Sequence, residues 1–217
     1  MSDAVLDHLV VGARRLEDGI RHVADVLGVE PVPGGRHPDM GTHNAVLRLG
    51  SSCYLEVIAI DPEAPEPGCP RWFDLDGAAT RAALAERPRL LTWVARSEHL
   101  DRLAARRPWE TGPVRPMRRG ELHWRIAFPD DGRLLAGGVL PPLIEWAPGV
   151  VHPAARMPDL GCALVGLRGF PPEGEAVKTA LGEAGLEEAI EIHHPGPHGD
   201  VVLEAEIDTP GGLRVLA

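Results

Sequence analysis

One order of local patterns recurs along this chain, and it limits the fold more than any single motif: a strand, a helix, then three strands. Leu6-Asp7-His8-Leu9-Val10-Val11 is of strand length, β-branched toward its end and stopped by Gly12. Leu16, Ile20, Val23, Ala24 and Leu27 follow at three- and four-residue spacing, an amphipathic helix ended by Gly28. Val29 to Arg36, Asn44 to Leu49 and Cys53 to Ile60 then read as strands separated by Gly-containing turns. The same order returns after Pro88, with strands at Leu90–Ala95, Thr111–Met117, Leu122–Phe128 and Leu143–Trp146 and helical spacing over Glu98–Arg106. It returns again after the linker at 149–159, with strands at Ala163–Leu167, Ile190–His193, Val201–Ile207 and Leu213–Leu216 around a helix at Ala176–Leu186.

Equivalent points of the first and last strands lie 48 residues apart from His8 to Glu56, 53 from Thr92 to Glu145 and 52 from Ala163 to Val215. A repeat of this length is one supersecondary unit reused, each copy needing a neighbour to bury its open face. The expectation is an α+β protein of repeated βαβββ units forming a cup-shaped mixed sheet, with a third related unit at the C-terminus. Units 5–61 and 89–148 pair within a domain over 1–150, joined by a connector at 62–88 with one short helix; the third unit spans 160–217. The periodicity does not say whether units pair within one chain or between two, and a homodimer is carried as an expectation.

The charge of −10 at neutral pH argues against nucleic acid or an anionic membrane as partner, since binding phosphates takes a basic face. No apolar run reaches 18 residues and the N-terminus lacks a basic-then-apolar leader, so a cytoplasmic protein acting on a small molecule is expected. Cys53, Cys69 and Cys162 show no metal-binding spacing and are expected to be reduced and structural. Nucleotide-binding loops, the serine-nucleophile elbow and the HExxH zinc motif are missing.

Glu56 stands in the apolar strand Tyr54–Ile60, and a buried carboxylate needs a partner, hydrogen bonds or a metal. Superposing the first two units sets Glu56 opposite Glu145, His8 opposite Thr92 and His43 opposite His123. If the apolar neighbours of each Glu face the covering helices, both carboxylates and His8 converge in the cup. Such a trio suits a divalent first-row metal (Zn, Ni, Mn or Fe) with open positions; the same trio without metal makes a polar pocket floor. Thr92 is a poor fourth ligand. His43 and His123 are candidate acid–base groups, because imidazole titrates near neutrality. His37, Asn44, Trp93 and Arg125 are candidate substrate contacts, Arg125 for an anionic ligand or for Glu121. The His193, His194 and His198 cluster reads as a solvated turn, and His22, His99 and His152 carry no assignment.

LDHLVV opening a βαβββ unit, GGRHPDMGTHNAVLRLG followed by YLEVIAID, and LPPLIEW over residues 5–150 resemble the glyoxalase-like branch of the vicinal oxygen chelate superfamily. That superfamily includes glyoxalase I, extradiol dioxygenases, fosfomycin-resistance thiol transferases and bleomycin-binding proteins. The resemblance implies metal ligands at His8, Glu56 and Glu145 and a metal-dependent lyase or dioxygenase acting on a small oxygen-chelating substrate. It implies equally a metal-free binding or sequestration protein of the antibiotic-resistance kind, taking a cationic or aromatic molecule in an acidic, tryptophan-lined cup.

Overall fold

The computed structural model describes residues 4–106, 108–194 and 202–217. The first unit runs β1 (Val5–Gly12), α1 (Leu16–Leu27), β2 (Val32–His37), β3 (Thr42–Arg48) and β4 (Tyr54–Ile60). The connector carries α2 (Ala78–Glu86). The second unit follows with β5 (Arg89–Arg96), α3 (Leu100–Arg106), β6 (Val114–Arg119), β7 (Leu122–Ala127) and β8 (Leu143–Trp146). After a short α4 (Pro153–Arg156) come β9 (Ala163–Gly169), α5 (Gly174–Glu183), β10 (Glu191–Ile192), β11 (Leu203–Thr209) and β12 (Gly212–Leu216).

The first two units share one curved eight-stranded sheet in the order β2-β3-β4-β1-β5-β8-β7-β6. In each, the first strand pairs in parallel with the last, and β1 joins β5 antiparallel at the centre. The units therefore pair within one chain. The third unit repeats the order of elements but not of neighbours: its sheet runs β10-β9-β11-β12, with the first strand inside it.

Strand alternation sorts side chains to the two faces. Leu9 and Val11 of β1, Leu55 and Val57 of β4, and Trp93 and Ala95 of β5 pack on the convex side with Val23 and Leu27 of α1 and Leu100 and Leu103 of α3. Leu203, Ala205, Ile207 and Leu216 of the small sheet join the same cluster, so the third unit covers that face. Each fully buried large side chain there contributes about 1.5–3 kcal/mol. Gly19 lets α1 sit close, because a Cβ there would lie 2.5 Å from Val57 Cγ1. Gly28 ends the helix at φ 72°, its N–H bonding Ala24 O at 2.8 Å.

The concave side holds Val10, Ile58, Val94, Trp124, Ile126 and Ile144, closed from below by Trp72, Phe73 and Leu75. Those last three belong to the connector, so it is a wall of the cup as well as a link. The turn presenting them is strained: Phe73 and Asp74 sit at φ 58° and 56°, a region that non-glycine residues seldom adopt. No helix among the described residues is long and apolar enough to cross a membrane, and the three cysteines are unpaired.

Candidate functional site

The centre of the cup is organised by an irregularity in β1. Pairing with β5 runs Leu6↔Ala95 and then His8↔Val94, which leaves Asp7 as an extra residue. Such a bulge interrupts the alternation of side chains, so Asp7 and His8 turn toward each other instead of to opposite faces. Asp7 Oδ1 lies 2.7 Å from His8 Nδ1. Its Oδ2 receives Trp146 Nε1–H at 3.0 Å, lies 2.9 Å from His152 Nε2, and has the Arg96 guanidinium at 3.5 Å. Burial alone would raise this carboxyl, but hydrogen bonds from His152 and His8 outweigh it and hold Asp7 well below the usual carboxylate range.

Held through Nδ1 and stacked on Tyr54 at 4.6 Å, His8 directs Nε2 into the cup, 3.7 Å from Glu56 Oε2. Glu56 is 6 % exposed, and its Oε1 accepts a hydrogen bond from Asn44 Nδ2. Asn44 Oδ1 accepts in turn from Gly35 N at 2.8 Å and from Arg119 Nη1 at 3.0 Å. His37 lies beside them, Nδ1 at 3.1 Å from Thr42 Oγ1 and Nε2 at 3.3 Å from Arg119 Nη1. A guanidinium only donates, so His37 Nε2 accepts and the ring carries its proton on Nδ1. Burial pushes the His37 pKa down to about 4, although Glu56 opposes the shift, and this keeps the ring neutral. Trp72, Trp124 and Trp146 line the rest of the cleft, whose volume of about 30 Å³ has room for one or two waters.

The structure thus brings His8, Glu56, His37 and Asn44 together in the cup, and the other candidates do not join them. Glu145 points away from the cup: its carboxylate accepts from Leu100 N at the start of α3 at 3.2 Å and from Arg125 Nε at 2.8 Å. The cup-facing residues of β8 are Ile144 and Trp146. Counting repeat distances set the second unit one residue out of register, and a shift of one reverses the face. Arg125 is on the outer face with Glu145 and Asp101. His123, its alternate on β7, is exposed there, while Trp124 and Ile126 turn inward. His43 likewise falls opposite Thr42 and Asn44, and Trp93 is wholly buried on the convex side, its Nε1 donating to Val139 O at 2.9 Å. Thr92 spends its hydroxyl on Gly138 O at 2.8 Å. In the histidine-rich turn, His193 stacks on Phe170 at 5.7 Å, and His198 lies outside the described residues.

Sequence reading missed Asp7, Arg119, His152 and Trp72. Asp7 escaped because strict alternation turns it from the cup, and His152 because its partner lies 145 positions away. Arg119 sits at a hairpin tip, where its only signal was a basic residue before Gly120.

The donors do not fit a divalent metal. His8 Nε2 and Glu56 Oε2 converge, but first-row ions take about four ligands. The facing half supplies Trp124, Ile126, Ile144 and Trp146, and no group of three or more His, Cys, Asp or Glu able to hold an ion occurs among the described residues. A guanidinium closing the same space also opposes a cation.

The paired βαβββ units and the buried imidazole–carboxylate centre define a cup-shaped protein of the glyoxalase type. The chain belongs to the glyoxalase-like domain family, whose model matches residues 6–185. A hypothetical protein from Staphylococcus aureus shares the fold with TM-score 0.57 at 10 % identity, over 95 % of this chain and 82 % of that one. A methylmalonyl-CoA epimerase from Mycobacterium tuberculosis aligns at 26 % identity and TM-score 0.42, over 66 % of this chain and 89 % of its own. A Streptomyces coelicolor methylmalonyl-CoA epimerase variant in complex with 2-nitronate-propionyl-CoA aligns at 19 % and 0.44, over 68 % and 96 %. No curated protein matches the chain.

Proposed function

We propose that this glyoxalase-like protein is a metal-independent acid–base enzyme that enolises a small carbon acid in the cup. The observation that carries the proposal is the Asp7–His8 pair, with Nδ1 held at 2.7 Å and Nε2 open to the cleft. In that state Nε2 carries the free lone pair. It takes the proton from a carbon beside a carbonyl, and the C–H electron pair moves to the carbonyl oxygen as an enolate. The imidazolium so formed lies between the carboxylates of Asp7 and Glu56, which stabilise it. Returning the proton from Nε2 to the same face of that carbon completes an exchange with solvent, and returning it to a neighbouring carbon completes an isomerisation. His8 is the catalytic residue in this scheme; Asp7, Trp146 and His152 are positioning residues that hold its tautomer.

Proton NMR in D₂O tests this by following exchange of the acidic C–H across a panel of 2-oxo and 2-hydroxy acids. Exchange should occur with the wild type and fall about 10²–10⁴-fold in His8→Gln. Binding without exchange would make the protein a sequestering one. One equivalent of Zn, Ni, Mn or Fe(II) retained in protein purified without a tag, or required for exchange, would restore the metal-dependent lyase or oxygenase reading.

A further inference from the structure

The cup keeps a cation without a counter-charge. Arg119 closes the β6–β7 hairpin and reaches across the mouth onto β2, where a Cβ on Gly35 would stand 2.9 Å from its Cδ. Its hydrogen bonds go to Asn44 Oδ1 and to neutral His37 Nε2, and it forms no ion pair with a carboxylate among the described residues. Nearby carboxylates are otherwise engaged: Asp7 by three donors and Arg96, and Glu56 by Asn44. A half-buried guanidinium held only by neutral acceptors has given up water without gaining a charge partner. A second donor stands in the wall, since Trp72 is 3 % exposed and its indole N–H has no partner among the described residues. The floor is of the opposite kind, with two acceptors, His8 Nε2 and Glu56 Oε2, 3.7 Å apart.

We infer that the cup takes a small carboxylate bearing a hydroxyl on the adjacent carbon, its carboxylate on Arg119, its hydroxyl on Glu56 Oε2 and the C–H of that carbon toward His8 Nε2. This deepens the enolisation reading and rests on it for the fate of the ligand, though not for its binding. The complementarity is directional: donors at the mouth meet the acid group, and the carboxylate at the floor meets the hydroxyl. It replaces the cationic ligand expected from sequence, because an ammonium group at the mouth would face the guanidinium. On binding, the bonds of Arg119 to Asn44 and His37 are exchanged for bonds to the ligand.

Quenching of tryptophan fluorescence by lactate, mandelate, methyl mandelate and benzylamine, checked by calorimetry, tests the assignment. Both acids should bind, with mandelate about 10- to 100-fold tighter than its neutral ester, the range of one charge-assisted hydrogen-bond pair, and benzylamine should not bind. Arg119→Gln should abolish the preference for mandelate over its ester, and Arg119→Lys should recover part of it. Equal binding of acid and ester, an unchanged Arg119→Gln in the folded protein, or no binding of either acid at millimolar concentration would overturn it. The wild type separates the two readings: carboxylate binding without C–H exchange removes the enzyme and keeps this site, whereas exchange on neutral carbonyl compounds without binding of either acid does the reverse.

Discussion

Acid should weaken this fold through His37. The folded ring has its pKa pushed from 6.5 down to about 4 by burial, while the unfolded ring titrates at the ordinary value. Unfolding therefore takes up a proton between these limits, and stability rises with pH there. The contribution is fully present above pH 6.5 and is lost as the pH falls toward the folded value. At pH 5 the unfolded ring is almost wholly protonated and the folded ring mostly neutral. The loss between pH 7 and pH 5 is about 2 kcal/mol, approaching about 3 kcal/mol near pH 4. Urea denaturation of the wild type and of His37→Gln across this range measures it. Gln can still meet Thr42 and Arg119 but has no proton to gain. The difference between the two profiles removes His22, whose pKa burial also lowers. If the two profiles stay parallel from pH 7 to pH 5, the neutral buried state assigned to His37 is wrong, and the acceptor proposed for Arg119 goes with it.

Asp7→Asn should cost about 3 kcal/mol in urea denaturation, because one amide cannot accept from His8, His152 and Trp146 together. Glu145→Ala should cost only about 1 kcal/mol, the loss of an acceptor at the start of α3 and of a partly exposed ion pair, and should leave ligand binding unchanged. Gly138→Ala should lose more than about 3 kcal/mol in the same assay, since its φ of 101° is unsuited to a side chain and a Cβ would lie 1.9 Å from Leu91 O. Gly34→Ala should reduce C–H exchange, because its Cβ would stand 2.1 Å from Asn44 Oδ1 and displace the amide that holds Glu56.

The sheet was legible in the sequence wherever a single periodicity ran unbroken. β8 was placed at Leu143–Trp146 residue for residue, and Glu56 and His8 reached the cup by alternation alone. What alternation cannot carry is a change of phase. The bulge at Asp7 hid the carboxylate that orients His8, and matching repeats by distance put Glu145 where Ile144 and Trp146 belong. The connector looked like a tether because its Pro- and Glu-rich start has no period, yet Trp72 and Phe73 gain their burial only once the cup exists to receive them. Arg119 and His152 act across 75 and 145 positions of sequence, distances over which local pattern carries no information.

The seam where Arg119 crosses to β2 also bears on how the protein keeps to itself in a crowded solution. β2 and β6 are the two outer strands of the large sheet, and each would otherwise offer a free row of backbone groups to a neighbouring chain. Curled toward one another, they screen each other, and Pro33 on one and Pro116 on the other remove donors from what is left. On the small sheet β12 is an outer strand with no strand paired to its free edge among the described residues, and its Leu213 and Val215 are 54 % and 47 % exposed. Strand-to-strand clumping under mild destabilisation should therefore start from the C-terminal strand, far from the cup.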